Sequence, residues 1–228
     1  MRSERIPMKL LINGLTKLIF GIVLMGLLLF LPAGTFRYFG AWLFLGVLMI
    51  PVIIMGAVLF VRAPALLEKR LNRKEKETAQ KGVIALSGLM FVGGFVLSSL
   101  DFRFAWSRVP LWLTISASVL FLVGYGIFAE VMRENAYLSR AVEVQEGQKV
   151  VSTGLYGIVR HPMYTATLLM FLSMPLILQS FRGLIPFALY PAMIAVRILN
   201  EEKVLTEGLE GYAEYKARVK YRLIPFIW

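Results

Sequence analysis

Apolar residues fall in six long blocks along the chain: Leu10–Leu31, Phe39–Val61, Val83–Leu100, Leu111–Ala129, Pro162–Leu178 and Leu184–Val196. A run of about 18 or more residues with few charges is long enough to cross the hydrocarbon of a bilayer. The pattern therefore predicts an all-α integral membrane protein with about six transmembrane helices. The sixth block is short, so it spans only if its helix continues past Arg197; a tight hairpin of the fifth and sixth helices is the alternative. The first block, with no small-residue cleavage site followed by a soluble body, is expected to be retained and not removed as a signal peptide. Four helices over residues 1–130, then a loop region, two helices and a tail over 131–228, are expected to form one integrated domain.

Between the fourth and fifth blocks, residues Ala141 to Val151 alternate apolar and polar around Glu146 and Gly147, a short hairpin pattern. A turn-rich stretch, Ser152 to Gly157, leads to Arg160, His161 and Pro162. Proline is favoured in the first turn of a helix. His161 is thus predicted at the N-cap of the fifth helix, its imidazole at the membrane surface beside unpaired backbone N–H groups.

Composition agrees with a lipid solvent: of 228 residues 58% are hydrophobic and only 17% charged, against roughly 25% charged in soluble domains. The net charge of +11 raises nucleic acid as a partner, but the placement of the charges removes that reading. Assigning segments alternately to two sides puts four basic residues at the amino terminus, seven in Arg62–Lys81, four in Arg133–Arg160 and six in Arg197–Arg222 on one side. Only Arg37, Arg103, Arg108 and Arg182 fall on the other, a ratio of 21 to 4. Short basic loops stay cytoplasmic, which predicts both termini and the segments 130–160 and 197–228 on the cytoplasmic face. No basic stripe is left over for nucleic acid. Without cysteine and with a single histidine, disulfides, thiolate chemistry and a His-rich metal site are excluded, and no metal is expected.

Two polar clusters bracket the last pair of helices: Tyr156, Arg160, His161 and Tyr164 before them, and Arg197, Asn200, Glu201 and Glu202, followed by Tyr212, Tyr215 and Arg218, after. An antiparallel hairpin of the fifth and sixth helices brings the clusters together at one membrane face. Arg197 and Glu201, four apart, share a helix face, and ionisable groups this close to hydrocarbon are functional candidates. Each has a plainer reading too: arginines as positive-inside anchors, tyrosines as an interfacial belt, His161 as a cap, and Arg197 with Glu201 as a surface ion pair contributing less than about 1 kcal/mol. A non-catalytic scaffold or transporter subunit is the rival from another class; a transporter calls for broken helices or mid-membrane charges, whereas these charges gather at one edge.

In combination the motifs have a family look. Gly154 to Tyr164 with its Arg-His-Pro, Arg197 with Glu201 and Glu202, Gly211 to Lys216, and the closing Leu223 to Phe226 resemble the isoprenylcysteine carboxyl methyltransferase family, its prokaryotic homologues and the related phospholipid methyltransferases, over about the last 95 residues. The resemblance implies S-adenosylmethionine as methyl donor, held by Gln148, Val150, Tyr156, Arg160, His161, Tyr164, Glu201 and Glu202. It implies Arg197 and Glu201 as catalytic residues, with Arg197 and Asn135 towards a lipophilic acceptor that enters from the bilayer. The acceptor atom stays open between a prenylcysteine carboxylate and a lipid amine. Gln148 stands where the eukaryotic enzymes have histidine, a departure at the expected donor contact. The location implied is a prokaryotic-type cytoplasmic membrane with the site facing the cytoplasm. No Gly-x-Gly-x-x-Gly loop is present, so a soluble Rossmann-type methyltransferase is excluded on its own motif.

Overall fold

The computed structural model describes residues 8–72, 78–135, 137 and 144–228. In chain order its helices are α1 (Met8–Ala33), α2 (Phe39–Arg62), α3 (Pro64–Asn72), α4 (Thr78–Phe104), α5 (Leu111–Glu134), α6 (Pro162–Ile177), α7 (Leu184–Phe187), α8 (Tyr190–Gly208) and α9 (Tyr212–Arg218). The apolar blocks account for all but the short α3 and α9. Among the described residues the structure is all helical, as the apolar periodicity requires.

Five segments are long and apolar enough to span: Met8–Ala33, Phe39–Arg62, Ala85–Phe104, Leu111–Glu134 and Leu184–Gly208. The sixth block does run on past Arg197, as a full span demands, but Pro186 and Pro191 interrupt its start. Proline cannot donate to the helical ladder, so a four-residue helix α7 turns into α8. The fifth block is the short one. With 16 residues α6 is about 24 Å long, less than the roughly 30 Å of hydrocarbon.

The α6 helix is central instead of lipid-facing. It runs antiparallel to α5, with Gly124 against Ala166 and Thr114 Oγ1 donating to the Leu176 carbonyl at 3.3 Å. A Cβ on Gly124 would stand 2.9 Å from the Ala166 carbonyl oxygen. Small residues are what permit such a close crossing where no hydrophobic effect drives helices together. Phe44, Phe91, Phe95, Phe121, Phe171 and Phe187 fill the middle of the bundle in edge-on, tilted and stacked contacts, with ring centroids 4.7–6.4 Å apart. Meanwhile α1 and α2 carry rows of exposed Leu, Ile and Val, the surface a lipid solvent leaves uncovered.

At the bundle end away from the polar clusters, Asp101 in the last turn of α4 is buried. Its carboxylate accepts from Ser107 N–H at 2.7 Å, and from the Ser107 and Ser180 hydroxyls at 2.5 Å each. This ties the α4–α5 loop to the α6–α7 loop. Neutral donors satisfy the charge near a helix end, which gives no support to a transport pathway.

Candidate functional site

The chain reverses direction between α5 and α6, and three anchors fix that segment. Gly154 has φ +52° and sits so close to Glu134 that a Cβ would overlap the carboxylate; only glycine meets both conditions. The Glu134 carboxylate accepts the Leu155 N–H at 3.1 Å, which pins the 3-10 turn Gly154–Gly157 to the end of α5. Asn135 donates to the Tyr156 hydroxyl at 2.9 Å. The third anchor is the carboxy-terminal tail, since Arg160 N–H and His161 N–H donate to the Tyr221 and Arg222 carbonyls at 2.9 Å each.

The expected hairpin is found only as a turn. Glu146 and Gly147 form it, with Gly147 at φ +69° and Gln148 N–H donating to the Gln145 carbonyl at 3.0 Å. No strand flanks it among residues 144–150; Ala141 to Glu143 lie outside the described residues. The alternation serves packing, because Val144 and Val150 pack, as Leu205 does, against the cluster of Leu209, Tyr212, Tyr215 and Val219. Gln148 uses its Oε1 to accept the Gln145 N–H at 2.8 Å and close the turn.

These elements, α8 and α9 enclose a recess. Its wall contains Asn135, Gln148, Val150, Tyr156, Arg160, His161, Tyr164, Arg197 and Glu201. Asn200 and Arg218 of the polar clusters lie off it, but the residues expected to contact donor or acceptor converge on one cavity, with a single exception. Glu202 is not on that wall.

Glu202 points instead into a buried charge cluster. Its Oε1 accepts from Arg160 Nε at 2.7 Å and lies 3.3 Å from His161 Nε2; its Oε2 accepts from Arg222 Nε at 3.1 Å, with Lys216 Nζ at 3.8 Å. Side-chain exposure is 3% for Glu202, 4% for Arg160 and 5% for His161. The membrane-surface position expected for the His161 imidazole is therefore corrected, and Glu202, expected at the donor, lies behind the wall. His161 is the residue before α6, as proline at the next position requires, but its imidazole makes no capping bond and is turned to the carboxylate. Arg160 is equally committed, with Nη1 donating to the Val219 and Lys220 carbonyls at 2.6 and 2.9 Å.

On the wall proper, the Tyr164 hydroxyl joins the two helices. It donates to Glu201 at 2.6 Å and accepts from Arg197 Nε at 2.8 Å. Arg197 and Glu201, one turn apart on α8, are thus bridged through a residue of α6. Glu201 is the one carboxylate among the described lining residues, which also include the cations Lys149, Arg160 and Arg197. Tyr137, Lys149, Val151, Met163, Leu205, Leu209, Tyr212 and Tyr215 also line the recess and were not among the expected donor contacts. For Leu205 and Leu209 a signal existed: they continue the four-residue spacing of Arg197 and Glu201.

Tyr215 donates to the Tyr156 carbonyl at 2.8 Å. The Tyr212 hydroxyl is buried and has no hydrogen-bond partner among the described residues. Burial raises both hydroxyls above the ordinary tyrosine range, with the nearby Glu202 charge adding to the effect at Tyr212, so both stay protonated at neutral pH. A buried hydroxyl left unpaired costs about 1–3 kcal/mol. In the wall of a cavity it marks a place for a ligand atom. S-adenosylmethionine fits this wall: its zwitterionic amino-acid part needs one carboxylate and nearby cations, and its adenine needs an apolar, aromatic end with a hydrogen-bonding group. Glu201, with Lys149 and Arg197 on the same wall, offers the first; Val150, Leu205, Leu209, Tyr212 and Tyr215 offer the second.

Comparison with known proteins addresses the same region. Residues 112–210 match the model of the phospholipid methyltransferase family. That stretch runs from the start of α5 to just before α9 and contains each wall residue from Asn135 to Leu209. A further similarity is to the uncharacterized protein YpbQ of Bacillus subtilis (strain 168), 31% identical over 99 residues, which is 42% of this chain and 57% of that protein. The chain thus matches a little over half the length of this curated relative. These findings support the wider family of membrane methyltransferases and do not reach the narrower isoprenylcysteine assignment.

Proposed function

We propose that the protein is an integral membrane methyltransferase that binds S-adenosylmethionine in the recess between α5, α6, α8 and α9 and methylates a lipophilic acceptor arriving from the bilayer. The observation that carries this reading is the wall itself: one carboxylate among cations, and a buried unpaired hydroxyl, in the stretch similar to phospholipid methyltransferases. When bound, the donor supplies an electrophilic methyl group on a sulfonium. The chain's own task is then positioning, which can lower a barrier by several kcal/mol when the reacting atoms are held near attack distance.

Glu201 attracts the donor's positive charge, and Tyr164 holds that carboxylate in place. Arg197, fixed by the same hydroxyl, presents its guanidinium at the edge where α8 becomes apolar and Val196 is exposed. A guanidinium offers a planar fork suited to a carboxylate, which favours a prenylcysteine-type acid as acceptor. The family match favours a phospholipid amine equally. In either case the recess is proposed to face the cytoplasm, on the basic side of the chain, in a prokaryotic-type cytoplasmic membrane.

Calorimetry of the purified full chain with S-adenosylmethionine tests the donor, and label transfer to a prenylcysteine analogue and to phosphatidylethanolamine tests the acceptor. No donor binding overturns the reading. Arg197→Lys keeps the charge and loses the fork; a carboxylate acceptor predicts poor turnover in this variant with donor affinity retained, and full activity shifts the assignment to an amine.

A further inference from the structure

The α8 helix has two working faces. Arg197, Glu201 and Leu205, spaced by four, face the recess; Leu199, Glu202, Lys203, Thr206 and Glu207 face away from it, into a second cleft completed by Lys216 of α9 and Arg222 of the tail. Charge within it is unbalanced. Glu202 is already neutralised from the far side by Arg160 at 2.7 Å, which leaves Lys203, Lys216 and Arg222 against Glu207 alone.

Nor are these cations used up by the protein. Lys203 has no partner among the described residues, and Lys216 stands 3.8 Å from Glu202 with its side chain 40% exposed. Arg222 donates through Nε to Glu202 and lies over the Trp228 ring at 5.0 Å. Both its terminal amino groups lack a protein partner among the described residues, so the guanidinium is oriented on two sides and open on the third.

Depth in the membrane identifies the occupant. Val196 and Leu199 are exposed on the outer face of α8, 60% and 52% respectively, and Lys203 follows one turn later on the same side. Apolar surface gives way to cations there as acyl chains give way to phosphate. We infer that this cleft is a binding site for the phosphate of an anionic phospholipid, with an acyl chain along Val196 and Leu199. It is separate from the donor recess and does not depend on it; Glu202 lines this cleft alone, with Oε1 towards Arg160 and His161 of the recess wall and Oε2 towards Lys216 and Arg222.

The test is native mass spectrometry of the detergent-purified full chain with phosphatidylglycerol and phosphatidylcholine in turn. The wild type is expected to retain phosphatidylglycerol preferentially. Lys203→Ala with Lys216→Ala should lose roughly thirty-fold of that preference, taking the usual contribution of each cation near an anionic lipid. Arg218→Ala with Lys220→Ala removes the same charge from exposed positions outside the cleft and should leave the preference intact. Equal retention of both lipids by the wild type, or an equal loss in the control pair, overturns the inference. Displacement of the lipid by inorganic phosphate at equal concentration also overturns it, and assigns the cleft to a free anion.

Discussion

Adjacent glutamates on α8 should fail in opposite ways when neutralised. Glu202 is 3% exposed and accepts from Arg160, itself 4% exposed, at 2.7 Å. In Glu202→Gln the arginine keeps its charge and its burial but loses its counter-charge. Breaking a buried pair from one side costs about 3–5 kcal/mol, a large share of the roughly 5–15 kcal/mol that holds a domain folded. On the soluble-protein scale for 150–250 residues this lowers the melting temperature by roughly ten degrees. Glu201→Gln removes a half-buried acceptor on the cavity wall, where the amide oxygen still accepts from Tyr164, so stability should change by less than about 1 kcal/mol. Donor affinity should fall about ten-fold or more, the usual cost of losing a charge-assisted hydrogen bond. Thermal unfolding in detergent and calorimetry with S-adenosylmethionine, run on both variants, separate the roles. If Glu202→Gln melts with the wild type while Glu201→Gln is the unstable one, the division of labour argued from the geometry is wrong.

Three further outcomes are expected. Tyr212→Phe removes an unpaired buried hydroxyl, so the ligand-free protein should gain up to about 1 kcal/mol in stability while donor affinity falls; an unchanged affinity in calorimetry refutes a ligand contact there. Gly124→Val drives a side chain into the Ala166 carbonyl and Met170, each 2.9 Å from the new Cβ, and should cost about 1–3 kcal/mol, visible as earlier thermal unfolding; wild-type stability would contradict the close α5–α6 crossing. Reporters fused after Lys81, at Arg103 and after Trp228 should give cytoplasmic signals at the first and last and the opposite at Arg103, following the 21 to 4 split of basic residues; an external signal at Trp228 places the recess on the wrong side for a cytosolic donor.

Apolar block length was enough to locate every long helix, because lipid leaves a backbone no alternative to satisfying its own hydrogen bonds. The helix α3 escaped notice, its mixed sequence Pro64–Asn72 being too short and polar to register as a block. Convergence of Tyr156, Tyr164, Arg197 and Glu201 on one recess was legible through the antiparallel hairpin. The commitment of Arg160 to the Val219 and Lys220 carbonyls was not, since it depends on a tail some 60 positions away folding back beneath α6, and no periodicity encodes that. Glu202 is a different case. Successive residues on a helix point about 100° apart, so Glu201 and Glu202 cannot both face the cavity that Arg197 faces. Four residues on from Arg197 is Glu201; five is Glu202, turned towards whatever packs behind. The resemblance put both carboxylates at the donor, but helix geometry leaves one for the wall and turns the other to the interior, where a lone charge is tolerable only with a partner. Arg160, which reads in isolation as a membrane anchor, is that partner.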